Sequence, residues 1–170
     1  MPVLLEGSCH CRAVKYTVES NTPIPYQICQ CSICRKAGGY MGSVNIMGNT
    51  KTLKIVKGED QIKKYIAAME FDENDKPKEL CKSERSFCKN CSSMLWVYSD
   101  EWPEWIYPFA SSIDKPDPLP AIPKEAKLFA IKRDSCPSHV PIPEGAECYD
   151  GYPPGKGIED WHKTYKAWVD

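Results

Sequence analysis

The sequence predicts a mainly β fold with short helices and long proline-rich connections. Three observations in its 170 residues point there. Fifteen prolines oppose long helices. The apolar residues fall in short alternating runs punctuated by Pro and Gly, the pattern of brief strands joined by irregular turns. Ten cysteines, seven of them in tight clusters, offer a way to organise such a chain without a large helical core.

Taken in order, residues 14–18 (Val-Lys-Tyr-Thr-Val) alternate and are rich in β-formers, which predicts a strand. Residues 21–25 make a turn or extended linker. Ile28 leads into Cys29-Gln30-Cys31-Ser32-Ile33-Cys34. Residues 35–39 close this triplet, and the pair Gly38-Gly39 implies a sharp backbone or close approach of a ligand. Residues 40–46 and 52–56 read as strands, with Gly58 as a turn. Residues 61–69 fit a helical face through Ile62, Tyr65 and Ile66, or equally a strand. Residues 72–83 carry Asp-Glu-Asn-Asp-Lys-Pro-Lys-Glu and predict a solvated loop. Phe87 opens a C-x-x-C knuckle, and residues 94–98 predict a short strand.

From residue 99 the composition shifts. Trp102, Trp105, Tyr107 and Phe109 lie among prolines, Pro116, Pro118, Pro120 and Pro123 follow, and a second Pro/Gly stretch runs from 137 to 157. The tail from 158 to 170 spaces Trp161, Tyr165 and Trp168 by four and three. This predicts an amphipathic helical turn that packs back on the domain, with partner docking as the alternative. The length predicts one domain over 1–170, with a motif core at 5–98 and a Pro/aromatic-rich part at 99–170 packing on it.

Charge and motifs exclude several classes. Twenty-two basic and 23 acidic side chains give a net charge of −1, which is no nucleic-acid footprint. No apolar run approaches the roughly 18 residues of a membrane span. The opening Met-Pro-Val-Leu-Leu-Glu reads as no secretory signal, and the thiolate clusters lead to the expectation of a reducing, cytoplasmic setting. G-x-S-x-G, the Rossmann glycines and a P-loop are all absent. His139 and His162 have no sequence partner for a triad and read as surface or packing residues.

The cysteines carry the chemistry. Cys9 and Cys11 form C-x-C, Cys29, Cys31 and Cys34 form C-x-C-x-x-C, and Cys88 and Cys91 form C-x-x-C. A tight turn lets both thiolates of such a pair reach one ion, with Zn–S near 2.3 Å, whereas a disulfide so short in sequence is strained. Seven ligands divide into four plus three. The natural partition places Cys9, Cys11, Cys88 and Cys91 on a closed structural zinc. Cys29, Cys31 and Cys34 then hold a second zinc with an open position, the arrangement of catalytic sites. The alternative gives the triplet a fourth protein ligand, such as His10, Cys81 or His139. Cys81, Cys136 and Cys148 are left as buried free thiols.

These motifs resemble a known family. Residues 7–14, Gly-Ser-Cys-His-Cys-Arg-Ala-Val, resemble its opening G-S-C-H-C-G-A-V. Residues 29–39 resemble C-H-C-S-x-C-R-+-x-x-G, and residues 87–92 resemble F-C-x-x-C-G. The family is that of the glutathione-dependent formaldehyde-activating enzymes, whose domain also occurs in centromere protein V. The aromatic tail is similar to fungal members. The resemblance implies several small coiled antiparallel sheets around two zinc ions. It also implies a carbon–sulfur lyase that joins formaldehyde, or another small aldehyde, to glutathione. Arg12 stands where Gly is usual, Ser92 replaces another Gly, and Gln30 replaces a common His, removing a proton shuttle there.

On this resemblance Arg35 and Lys36 are expected to bind substrate carboxylates or polarise the carbonyl, or else to be a solvated basic pair. Gly38 and Gly39 would let substrate approach the backbone, and Trp102, Trp105 and Tyr107 would wall a pocket or pack in the core. A different thiol or carbonyl metabolite, or a non-catalytic zinc module binding a protein partner, are the competing readings.

Overall fold

A computed structural model of the chain describes residues 1–155 and 157–170. The strands are β1 (Val3–Ser8), β2 (Lys15–Ser20), β3 (Gln27–Cys29), β4 (Ser43–Val44), β5 (Gly48–Asn49), β6 (Lys54–Lys57), β7 (Ile62–Phe71), β8 (Pro77–Cys88), β9 (Met94–Ser99), β10 (Trp105–Pro108), β11 (Ile113–Lys115), β12 (Phe129–Ile131) and β13 (Glu147–Cys148). Two short helices, α1 (Ser32–Gly38) and α2 (Ile158–Thr164), complete the fold. The mainly β reading holds.

The strands form three small sheets, ordered β11-β1-β2-β6, β5-β10-β9-β8-β7 and β13-β12-β3-β4. The first two are antiparallel throughout. The third departs from the antiparallel expectation, because β12 runs parallel to both β3 and β13. Long connections of irregular chain supply the crossovers that parallel pairing needs.

Period-two burial explains how the sheets meet. On β2, Tyr16, Val18 and Ser20 point inward while Lys15 and Glu19 face water. Tyr16 and Val18 build one core with Leu5, Val14, Ile46, Leu95, Trp96 and Ile106, and Tyr16 meets Trp96 edge-on at 5.1 Å. A second core of Ile24, Tyr26, Phe129, Ile131 and Trp161 lies on the third sheet.

Of the two readings left open for residues 61–69, the strand holds from Ile62, because β7 pairs with β8 from Ile62↔Cys88 onward, while Gln61 ends a 3₁₀ turn. Other local expectations change. The loop expected at 72–83 shrinks to a tight turn. Asp72 Oδ1 accepts from the backbone N–H of Asn74 and Lys76, both at 2.8 Å, and β8 already begins at Pro77. An acidic surface run had concealed half a strand, since both of its faces are exposed there. Of residues 40–46 only Ser43–Val44 is strand, and the strand expected at 52–56 starts two residues later, after a single 3₁₀ turn.

The tail packs back on the third sheet. Trp161 stacks on Tyr26 with ring centroids 4.0 Å apart, and its indole N–H donates to the Lys127 carbonyl. Trp168 lies beyond the end of α2, so the aromatic spacing overstated the helix. His162 is fully buried behind Trp161. Its Nε2 accepts from the Ile24 N–H at 3.2 Å and its Nδ1 lies 2.8 Å from the Ile158 carbonyl, so the ring is neutral. Burial holds its pKa below the usual histidine value. The unfolded chain therefore takes up a proton first. This contribution to stability is complete above about pH 6.5 and is lost as pH falls towards the folded-state pKa. The expected outcome is a loss of melting temperature between pH 7 and pH 5 that is smaller in His162→Gln, measured by thermal denaturation.

Candidate functional site

Cys9 and Cys11 follow β1, and Cys88 and Cys91 bracket the turn from β8 to β9. Sheet pairing brings these two hairpin turns together across about 80 residues of sequence. The four sulfurs lie within 4.8 Å of one another, with Cys9–Cys11 at 3.5 Å and Cys11–Cys88 at 3.8 Å. A tetrahedron of Zn–S bonds has sulfur–sulfur edges of about 3.8 Å, so the set fits one ion. All ten cysteines are free thiols.

Backbone and hydroxyl donors act on two of the four. The Val14 N–H donates to Cys9 Sγ at 3.2 Å, and the Ser93 hydroxyl beside Cys91 holds that thiol down to about 5. The turns are tight enough to force two non-glycine residues into the left-handed region, Arg12 at φ 61° and Ser92 at φ 59°. These are the two positions where the family motif carries Gly. Each costs about 1–2 kcal/mol.

Cys29 ends β3, Cys31 caps α1 and Cys34 lies in its first turn. The Cys34 N–H donates to Cys31 Sγ at 3.3 Å, and the three sulfurs again lie within 4.8 Å. Hydrogen bonds from Cys29 and Cys34 hold the Cys31 thiol far below its usual range, while the same contacts and burial push Cys29 up. Among the described residues no His, Asp, Glu or further Cys joins the set. His10 instead donates its backbone N–H to Ser93, and the exposed His139 stacks on Tyr40. The triplet thus offers three ligands.

The triplet loop is held independently of any metal. Gln30 is fully buried, its Nε2 donating to the carbonyls of Met41 and Pro141 at 3.0 Å while its Oε1 accepts from Arg133. A side chain so engaged is a structural tie, which explains why Gln serves where a His is common.

Cys29 and Cys34 open into a cavity of about 380 Å³ between the second and third sheets. Its floor is one face of the second sheet: Ser83 and Arg85 of β8, Val97 and Ser99 of β9, and Tyr107 of β10. Alternate residues of neighbouring strands in register produce this row. Ile131 and the tail, through Tyr152, Pro153 and Ile158, form the opposite wall, and Trp102 stands at the rim. A depression of about 440 Å³ beside the four-cysteine set, rich in serine, faces ligands already complete as a group of four.

Several residues singled out in the sequence lie elsewhere. Arg35, Lys36, Gly38 and Gly39 do not line the three-cysteine cavity. Arg35 reaches backwards, Nε donating to the Gln30 carbonyl at 2.9 Å and Nη2 to the Ser135 carbonyl at 3.0 Å. Lys36 is exposed. A side chain at Gly38 would collide with Ser43 Oγ, 2.0 Å from its Cβ position, and Gly39 ends α1 at φ 123°. Gly38 therefore serves close packing on Ser43 and Gly39 the sharp backbone. Trp102 and Tyr107 do line the cavity, while Trp105 does not. Cys81 and Cys136 are only half-buried and Cys148 is exposed, so none is the buried free thiol expected. Cys148 lies on β13, a two-residue strand at the edge of the third sheet, and Cys81 on the solvent-facing first half of β8, which leaves both near solvent.

Sequence reasoning missed Arg85, Ser83 and Val97. Their facing depends on the register of β8 against β9, and nothing local to the sequence announces it.

Residues 4–130 match the sequence model of the family described as glutathione-dependent formaldehyde-activating enzyme (GFA). The chain belongs to the GFA family. A Halomonas elongata protein named "Putative glutathione-dependent formaldehyde-activating enzyme" is 42% identical over 163 residues, covering 94% of this chain and 95% of its own. A crystal structure of a Rhodobacter sphaeroides protein superposes with a TM-score of 0.50 at 22% identity, covering 69% of this chain and 97% of its own, which is a likeness of fold. The GFA match ends at residue 130, within β12, so the tail that walls the cavity lies outside it. No helix among the described residues is long and apolar enough to cross a membrane.

Proposed function

We propose that this GFA-family chain is a zinc-dependent carbon–sulfur lyase that adds a thiol, glutathione in the first instance, to formaldehyde or another small aldehyde. The observation that carries the reading is a three-thiol set, without a fourth protein ligand among the described residues, opening into a cavity. Cys9, Cys11, Cys88 and Cys91 would hold a structural zinc, and Cys29, Cys31 and Cys34 a second. Zinc there lowers the pKa of a substrate thiol, so that the thiol reacts as thiolate near neutral pH.

The chain's own residues do the rest. Tyr107, Val97, Ile131 and Ile158 make a largely apolar enclosure that excludes water from the reacting thiol. The Gln30 tie and Arg35 position the cysteine loop. In the addition, the thiol sulfur bonds to the aldehyde carbon, the carbonyl π pair moves to oxygen, and the proton given up by the thiol is taken up there. The product is a hemithioacetal, RS–CH2–OH for formaldehyde, and the reverse reaction breaks the C–S bond. The wall of Ile131, Tyr152, Pro153 and Ile158, outside the matched residues 4–130, supports one further reading, a thiol or carbonyl substrate other than the family's namesake pair.

The test is NMR magnetisation transfer between formaldehyde and S-hydroxymethylglutathione, with and without zinc-loaded protein. Exchange above the uncatalysed background is expected. Two zincs per chain with no acceleration would turn the assignment to another thiol or carbonyl.

A further inference from the structure

Arg85 has no role in the reading above, and its surroundings are unusual. Its side chain is buried, with the residue 6% exposed, yet Nε and Nη1 have no hydrogen-bond partner. A buried guanidinium with unmet N–H groups is costly unless something else satisfies them. The side chain is set by strand register. Arg85 faces Val97 across β8 and β9 and shares a face with Ser83, so it projects from the cavity floor. Among the described lining residues it is the one cationic side chain, and no carboxylate is among them. The nearest alternative is a simple counter-charge to the cysteines. Arg85 does act electrostatically on Cys34 and both electrostatically and by a hydrogen bond on Cys81, but Nε and Nη1 are left without a partner.

We propose that Arg85 is a substrate-binding residue that holds a carboxylate of the thiol substrate on the floor of the three-cysteine cavity. A planar guanidinium is matched to a carboxylate, and the contact is strong where water is excluded. The inference rests on the reading of that cavity as a thiol site. It adds a substrate class, thiols that carry a carboxylate a few bonds from sulfur. It also moves anion recognition from the Arg35–Lys36 pair, of which Arg35 is half-buried on backbone carbonyls, to the second sheet.

The test compares 3-mercaptopropionate with the isosteric neutral 3-mercaptopropionamide by titration calorimetry on zinc-loaded protein. Wild type is expected to prefer the carboxylate by at least about tenfold, as a charge-assisted contact should give. Arg85→Gln should remove that preference while leaving zinc content and affinity for the amide unchanged. Equal affinity of wild type for the two thiols, or a preference that survives in Arg85→Gln, overturns the proposal. Where the glutamine variant does not fold, Arg85→Lys carries the comparison. It keeps the charge but loses the planar donors, so the preference should fall several-fold, and an unchanged preference overturns it. Propionate, followed by saturation-transfer NMR, separates the two levels of the argument. If neither thiol binds, the thiol-site reading fails. A propionate signal lost in the Arg85 variant still supports the carboxylate site, and absence of any propionate signal then overturns that too.

Discussion

Cys88→Ser is expected to unfold the protein. Cys88 is fully buried at the end of β8, in contact with the first core, and is one of the four clustered sulfurs. If the set holds zinc, binding there is folding free energy, worth about 10–16 kcal/mol for structural sites. The net stability of a whole domain is about 5–15 kcal/mol, so the fold cannot absorb the loss. The clamp also stabilises two hairpin turns whose Arg12 and Ser92 sit at positive φ. Without it those residues gain by relaxing, and the turns that align the first two sheets come apart. The expected record is a loss of at least one zinc per chain by elemental analysis and no cooperative melting transition by circular dichroism. A variant that melts like wild type would remove the structural role from this set.

Cys29→Ser is expected to do the reverse, abolishing activity and sparing the fold. Cys29 is half-buried at the cavity mouth, and the loop it belongs to is tied by Gln30 and Arg35 through protein contacts alone. Formaldehyde–glutathione exchange should drop to the uncatalysed background. The melting temperature should move by no more than about 2–4 °C, the shift that about 1 kcal/mol produces in a chain this long. Exchange unchanged in the variant would place the chemistry elsewhere. Unfolding would make the triplet a second structural site. The two cysteine sets are thus distinguishable by single substitutions, because one clamps two distant hairpin turns and the other lies in a loop already tied by protein contacts.

The sequence by itself determined the mainly β class, the division of the cysteines into four and three, and the GFA family. These were legible because they are local: two thiolates two or three residues apart are already within reach of one ion, and alternation along a few residues already defines a strand face. It also marked Arg12 and Ser92 as departures from glycine in the family motif, and the structure then placed both at positive φ. The reading failed where the deciding partner was distant. Residues 77–80 looked like solvated loop because both faces of that part of β8 are exposed, and only pairing with β7 makes them strand. Arg35 and Lys36 adjoin the triplet in sequence, but a helix that presents Cys34 to the cavity turns them away from it.

Tertiary structure alone decided the cavity. Its floor is a row of alternate residues on three strands, so a one-residue change of register would replace Arg85 with Glu84 or Ser86. Its far wall comes from a tail docked by Trp161 on Tyr26, more than 130 residues away in the chain. Ligand spacing survives in a sequence because it is set by short stretches of backbone. What surrounds the ligands does not, because it is set by which sheets pack face to face.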